Sequence, residues 1–490
     1  MKKMLTIHKT SVALFLTVLA LVSCADIELD ETPPGLLSPT NFYTTEADFE
    51  AALAGTFRAL YSNYNGFDYA YPLGLSSGAE DVSMVVTRDF HHIDQFIENG
   101  SQDGIVIMWA SLYQCIANAN TLIGNLGNAQ GISPERLGEI EGQAKFIRAL
   151  SYFYLVRWFG EVQLTTLENQ KNIATLKQSS VEEIYTSIIN NLKDAEEKLP
   201  LSFPDRGRPT MGAAKALLAK VYLTMAGWPL EDTSKYVDAR DKAAEVMSLS
   251  YDLEPIFSDL WTQEKKLTNP EFIFGFYGSN ESQGLSGSHL HVASRASVGG
   301  EGGWGDFFSE ERFFNVFPAG PRKDASFTTN FADGSDYISA GVQPFIAKYR
   351  DAGESFDNLN GEGFFVVLRY ADVLLMYAEA ANMAENSPSS AALEAVNKVR
   401  RRAMNLDLNT PDVSVDLPST ISQQDFEEAV IAERNWELAF ECNRWFDLVR
   451  KKMVVEVNQS LYPNVSVTNR LLPKPSAQLI PGILDQNTGY

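Results

Sequence analysis

The chain of 490 residues is poor in cysteine, poor in histidine and short of basic charge. Three cysteines, at 24, 115 and 442, are too few for a disulfide framework, and beyond residue 24 only Cys115 and Cys442 remain. Both sit among apolar residues in helical patterns, which predicts two buried thiols rather than a bridge. Of the five histidines only His91, His92, His289 and His291 lie in the body of the chain. His289 and His291 would share one face of a strand, but nothing joins that pair to the other, so no metal is expected. Forty lysines and arginines against 63 acids give a net charge of −23. A body so acidic repels phosphate backbones, which excludes nucleic acid as a natural partner. A long hydrophobic run is also missing. The longest, Val12 to Val22, is half the roughly 20 residues a membrane span needs.

That short run is the centre of an address. Lys2, Lys3 and Lys9 precede it, and it ends in Leu21-Val22-Ser23-Cys24, which resembles a bacterial lipobox. Residues 1–23 are read as a lipoprotein signal peptide and Cys24 as the lipidated N-terminus of the mature chain. Several acyl chains would hold it firmly, each buried methylene contributing roughly 0.8 kcal/mol. The acidic stretch "ADIELDE" follows at once.

What the chain has in abundance is helical punctuation and aromatic side chains. Ser133-Pro134 opens an amphipathic helix that runs to Gly160, and Ser180 with Glu183 forms a capping box for a helix ending at Leu199-Pro200. Thr210 opens "MGAAKALLAKVYLTMAG", answered by "KYVDARDKAAEVM". "YADVLLMYAEAANM" and "SAALEAVNKVRRRAM" form a second pair, and Ser422 starts a helix leading into "ERNWELAFECNRWFDLVR" at 433–450. Alanines where two helices must approach closely suggest tetratricopeptide-like pairs. The fold class expected is mostly α, a helical-repeat scaffold with long loops and a few short strands. "EFIFGFYG" and "FFVVL" are the clearest strands.

Several blocks taken together resemble the SusD/RagB family of Bacteroidetes outer-membrane lipoproteins. They are "GQAKFIRALSYFYLVRWFGEVQL", "GAAKALLAKVYL", "PRKDASF", "LRYADVLLMYAEAAN" with "NKVRRRA", residues 433–450, and the tail "LLPKPSAQLIPGILDQNTGY". They stand in the family's order across almost the whole mature chain. Cys442, Ile480 and Thr488 depart from residues common in the family. The resemblance implies a surface-exposed protein that binds a nutrient, a glycan or in some cases a peptide, and passes it to a SusC-like TonB-dependent transporter. It implies no cofactor and no catalysis. The organisation expected is a signal peptide at 1–23, an N-terminal helical region at 24–260 and a C-terminal region at 261–490 with the ligand face, packed as one unit.

Sugar recognition calls for flat aromatic faces with polar neighbours. Two segments offer them: the glycine-rich run containing "GGEGGWGDFF", with Trp304, and "YSNYNGFDYAYPLG". The candidate ligand contacts are Trp304, Tyr64, Phe67, Tyr69, Tyr277, Asn65 and Asp81. "GLSSG" around Ser76 matches the G-x-S-x-G nucleophile elbow in letters, but that motif needs a core strand before it and an α/β sheet around it. A glycosidase is the enzyme alternative, since two facing carboxylates suffice. The acids of 433–450 do not supply them, because they read as helix-surface pairs: Arg434 with Glu437, Glu441 with Arg444, Asp447 with Arg450. Trp436, Leu438, Phe440, Trp445, Phe446 and Leu448 mark a helix packed on several neighbours.

The anchor has a direct test. Cys24→Ala should move the protein from the membrane to the soluble fraction in a fractionation experiment; unchanged membrane association would remove the lipid from the account.

Overall fold

The computed structural model describes residues 42–62, 65–67, 71–262, 264–266, 268–277, 289–349 and 364–490. Residues 1–23, read from sequence as a signal peptide, Cys24 and the acidic stretch fall outside them, as do Tyr64 and Tyr69.

Ten principal helices stand among the described residues, four of them beginning at a cap read from sequence, Ser133, Ser180, Thr210 or Ser422. They are α1 (Glu46–Arg58), α2 (Asp103–Gly124), α3 (Pro134–Phe159), α4 (Val181–Lys198), α5 (Met211–Met225), α6 (Lys235–Met247), α7 (Tyr370–Glu385), α8 (Ser390–Ala403), α9 (Gln423–Glu437) and α10 (Arg444–Arg450). Ser133 caps α3 by accepting from the Arg136 N–H. Ser180 and Glu183 form a reciprocal box on α4, and Thr210, Ser389 and Ser422 cap α5, α8 and α9. Each such cap contributes about 1 kcal/mol by satisfying a backbone donor that the helix leaves open. Gly160 ends α3 at φ 68°, a conformation in which a Cβ would be strained.

Consecutive helices pack on one another, α2 on α3, α3 on α4, α4 on α5 and α5 on α6. Close approach is possible because Ala213, Ala214, Ala216 and Ala219 are all fully buried along α5. The chain then leaves the helical array after α6 and returns with α7, which packs against α6 as though no interruption had occurred. The intervening segment carries most of the strands. Strand β4 (Phe272–Tyr277) pairs antiparallel with β8 (Phe364–Arg369), joining the two runs picked out by sequence. Every residue of β8 is buried, so its apolar run is continuous and does not alternate. Two-residue strands complete the architecture: β1 (Tyr61–Ser62) with β2 (Asn65–Gly66), and a four-stranded patch in the order β3 (Ser83–Met84), β5 (Phe307–Phe308), β7 (Phe345–Ile346), β6 (Phe327–Thr328). One large apolar cluster runs through nearly all of these elements.

The segment 433–450 differs from the sequence expectation. It is not one helix: α9 stops at Glu437, Phe440 and Cys442 adopt positive φ (65° and 60°), and α10 starts at Arg444. Its charges do not lie on an exposed face either. Glu437 is fully buried and accepts from Arg322 (2.9 Å), Arg369 (2.6 Å) and Arg402. Glu441 pairs with Lys348 and Arg369, each at 2.7 Å, and Glu271 pairs with Arg369 at 2.7 Å and Arg402 at 2.8 Å. Arg434 bonds Asp372 and Asp447, both at 2.8 Å, and Arg444 bonds Glu80. Of the three local pairs read from sequence, Asp447–Arg450 is the one that forms. The break in the helix is what turns Glu441 away from Arg444 and towards Arg369.

Three guanidiniums beside it hold the Glu437 carboxyl far below the usual carboxylate range, against the opposing effect of burial. Asp372 and Glu379 are depressed for the same reason, by Lys220 and Arg434 and by Arg450 and Lys451. An acid depressed in the folded state contributes stability that is present above its ordinary pKa and is lost as pH falls through the folded value. The network therefore favours the fold at neutral pH and gives way in strong acid.

Replacing Glu437 by Gln should cost about 3–5 kcal/mol in chemical denaturation, because three buried cations lose their shared partner. The exposed Glu428→Gln should stay within about 0.5 kcal/mol. Equal effects of the two would show that the network is not a structural hub.

Candidate functional site

Two surface depressions collect the aromatic candidates. The first is built by the pairing of β3 with β5, which brings residues 83–88 against 304–308. The Val85 N–H donates to the Asp306 carbonyl at 3.0 Å, and the Arg88 guanidinium meets the Asp306 carboxylate at 2.8 Å. Trp304, just before β5, is half-buried and packs against the main core. Its backbone N–H is held by the Val292 carbonyl at 2.8 Å. The tight winding of this loop depends on Gly303, where a Cβ would stand 2.2 Å from the Arg295 carbonyl oxygen. Arg88, Ser297, Gly302, Gly303 and Trp304 line an open depression of about 530 Å³. It offers an indole, a partly exposed guanidinium and a hydroxyl on a backbone-anchored loop.

The second depression, about 320 Å³, lies between α1, the 205–208 turn and the end of β4. Phe57, Tyr61, Phe276 and Tyr277 give it an aromatic lining, with the Tyr61 ring stacked on Phe276 at 5.6 Å and 9°. Its rim is self-neutralised, since Arg208 binds Glu50 at 2.7 Å. The two depressions share no lining residue, so the structure separates Tyr277 from Trp304.

Other sequence candidates fall elsewhere. Phe67 is fully buried, its ring 5.0 Å from Tyr154 and Phe276 and 5.1 Å from Phe365, so it is core and not a ligand face. Asp81 is buried too: it accepts the Phe440 N–H at 2.8 Å and so stabilises the turn between α9 and α10. Burial, with Glu80 alongside, pushes its carboxyl up to about 7. Asn65 pairs through its backbone with Ser62 in the β1–β2 hairpin. His291 lies on a short helix, His289–Ser294, and not on a strand. Its buried ring accepts the Phe364 N–H at 3.1 Å, and burial pushes it down to about 3, a neutral structural histidine. No group of three or more metal-binding side chains occurs among the described residues. Cys115 and Cys442 are free and buried, as the sequence suggests. Ser76 is buried and follows a short helix, Tyr71–Leu75, where a nucleophile elbow requires a strand. Arg88, Ser297 and Asp306 had no signal in sequence, because their site exists only where β3 meets β5.

Comparison with known proteins gives one consistent result. A family model described as SusD family matches residues 271–480, and another, described as "Starch-binding associating with outer membrane", matches residues 29–223. SusD-like protein P2 of Formosa agariphila is 29% identical, covering 98% of this chain and 100% of that protein. A SusD homolog from Bacteroides thetaiotaomicron superposes with a TM-score of 0.81 at 24% identity, over 92% of this chain and 98% of the other. Surface glycan-binding protein A of the same organism, solved with laminarihexaose, gives 0.74 at 20% identity over 91% and 100%. At such identities the structural likeness is one of fold. No helix among the described residues is long and apolar enough to cross a membrane.

The position of Asp81 makes a pH prediction. An acid raised in the folded state binds more protons folded than unfolded between its ordinary pKa of 3.8 and about 7, so its contribution to stability declines as pH rises through that window. Asp81→Asn keeps an acceptor for Phe440 and removes the titration. Denaturation at pH 4 and pH 7 should show the variant gaining on the parent chain by about 1 kcal/mol or more at the higher pH; a difference independent of pH would contradict the assignment.

Proposed function

Because the chain belongs to the SusD/RagB family, we propose that it is a surface lipoprotein that binds an oligosaccharide and delivers it to a TonB-dependent transporter in the outer membrane. The observation that carries the binding step is Trp304, a half-buried indole on a glycine-rich loop, lining the same open depression as Arg88. A pyranose ring offers a C–H face to such an indole, and its hydroxyls suit Arg88 and Ser297 on the same lining. Asp306 orients the Arg88 guanidinium, and Gly303 fixes the loop, so the contact surface is arranged before the ligand arrives. Tyr277, in the separate cleft by β4, is a second aromatic contact available to a long chain. The glycan ligand of the surface glycan-binding protein with the same fold supports this class of ligand. The outer-membrane description of the matching family model and the lipobox at Cys24 support the location.

The reading is of binding and transfer without catalysis. The acids of residues 433–450 that invite a catalytic interpretation are committed to buried arginines and lysines, where no substrate reaches them. Among the described residues the lining of the depression at Trp304 holds no carboxylate, and Asp306 beside it is buried in an ion pair with Arg88.

The test is a glycan array followed by calorimetry on the best ligand. Trp304→Ala should weaken binding at least tenfold, about 1.4 kcal/mol. Undiminished affinity would remove Trp304 from the site and favour a structural lid. Binding of peptides but not glycans would replace the ligand class, and hydrolysis abolished by one carboxylate substitution would replace the binding function.

A further inference from the structure

A third cavity, which shares no lining residue with either depression, lies where the C-terminal tail folds back on the helical array. It has a volume of about 480 Å³ and is lined by Glu161 after the end of α3, by Gln178 before α4, by Trp228 and by the tail residues Arg470, Lys474 and Asn487. That volume is within the roughly 300–1,000 Å³ of small-molecule pockets.

Among the described residues most deeply buried cations meet a carboxylate, and Arg157, which does not, is covered by the Phe153 and Phe446 rings, each 3.7 Å from its guanidinium carbon. Arg322, Lys348, Arg369, Arg402, Arg434 and Arg450 are all buried, and each meets at least one carboxylate. Lys474 is equally buried, 1% exposed, yet no carboxylate lies within salt-bridge distance of it among the described residues. Its ammonium donates instead to neutral oxygens, Gln178 Oε1 at 3.0 Å and the Asp485 carbonyl at 2.6 Å. Arg470 likewise has no carboxylate partner among the described residues. Its Nε is buried without a hydrogen-bond acceptor there, and its guanidinium stands 5.6 Å from the Trp228 ring. Two acids, Glu161 and Asp485, favour the Lys474 charge from beyond ion-pair distance; both are exposed, Glu161 accepting from Gln178 Nε2 at 2.6 Å and Asp485 from the Gly482 N–H at 2.8 Å. A buried ammonium whose acids stand beyond ion-pair distance keeps an N–H free for a closer anion.

We propose that this cavity is a second binding site, for an oxyanion carried on a molecule of about monosaccharide size, with Lys474 and Arg470 as its cationic partners and Trp228 as its apolar wall. Lys474 has three N–H donors and two protein acceptors, which leaves one for the ligand. Arg470, on the same cavity lining, supplies planar donors, the geometry that carboxylate and sulfate accept best. Burial pushes the Lys474 ammonium down to about 8, so it is still charged at neutral pH, and a bound anion would offset the penalty. The site is independent of the depression at Trp304, and would let an acidic sugar or a sulfated unit be held apart from the main glycan contact.

Calorimetry on the full chain in detergent, with D-glucuronate, inorganic sulfate and glucose as probes, tests this. Glucuronate should bind saturably and glucose should not. Lys474→Met and Arg470→Gln should each weaken glucuronate at least tenfold, Lys474→Arg should retain it within a few-fold, and Trp304→Ala should leave it unchanged. Sulfate binding with the same sensitivity supports the oxyanion site and assigns the ring no share of the affinity. If Lys474→Met does not fold, Arg470→Gln on the cavity wall carries the comparison. The proposal is overturned by no saturable glucuronate or sulfate binding, by affinity that neither substitution moves, or by binding lost in Trp304→Ala but kept in both cavity variants.

Discussion

A buried charge must find its counter-charge, and in this protein that requirement converges on Glu437. Its two carboxylate oxygens accept from three arginines contributed by residues 322, 369 and 402. Arg369 and Arg402 also share Glu271, and Arg369 shares Glu441 with Lys348. Seven segments distant in the chain are thereby fastened to one point: the start of β4, the 321–326 helix, the approach from β7, the end of β8, α8, α9 and the turn after it. Continuum reasoning gives such a network little net stability over an apolar core, but breaking it is expensive, so it selects one arrangement over its competitors.

The surface proposed to meet the ligand depends on that arrangement without sharing its residues. Between α6 and α7 the chain forms short strands too small to be stable alone. The β4–β8 pair is anchored at its Glu271 and Arg369 end by the network, while β3, β5, β7 and β6 are joined edge to edge across more than two hundred residues. Trp304 and Arg88 are neighbours because of this patch. The helical array with its ionic hub thus forms the scaffold, and the proposed recognition surface is mounted on the interruption, where loop sequence can vary at small cost to the core.

The same economy separates three places on the surface. The Trp304 depression is open and has an internally balanced ion pair, which suits neutral hydroxyls. The cleft by β4 is aromatic with a balanced rim. The cavity under the C-terminal tail holds two cations with no carboxylate partner among the described residues, and so differs in the charge of the ligand it fits. Nothing in residue type alone distinguishes these roles: Lys474 and Lys348 are both buried lysines, but Lys348 has Glu441 at ion-pair distance where Lys474 has amide and carbonyl oxygens.

Local structure was legible before any coordinates. The starts of α3, α4, α5, α8 and α9, the end of α3 at Gly160 and the strands β4 and β8 follow from side chains within four residues of the backbone groups they satisfy or the faces they bury. The mostly helical class and the ordered family blocks belong to the same level. Partnership was not legible. Glu441 reads as a neighbour of Arg444, yet it bonds Arg369, because the positive-φ residues 440 and 442 end the helix and Asp81, some 360 positions away, holds the Phe440 N–H in the turn. Phe67 and Asp81 look like binding residues in a polar, aromatic stretch and become core once β4 and the 438–443 turn close over them. Sequence determined what each segment forms, since caps and periodicity act over one or two turns. Tertiary structure alone decided which charges are buried, which aromatic rings meet solvent and where a cation is left without an acid, since those depend on contacts between residues hundreds of positions apart.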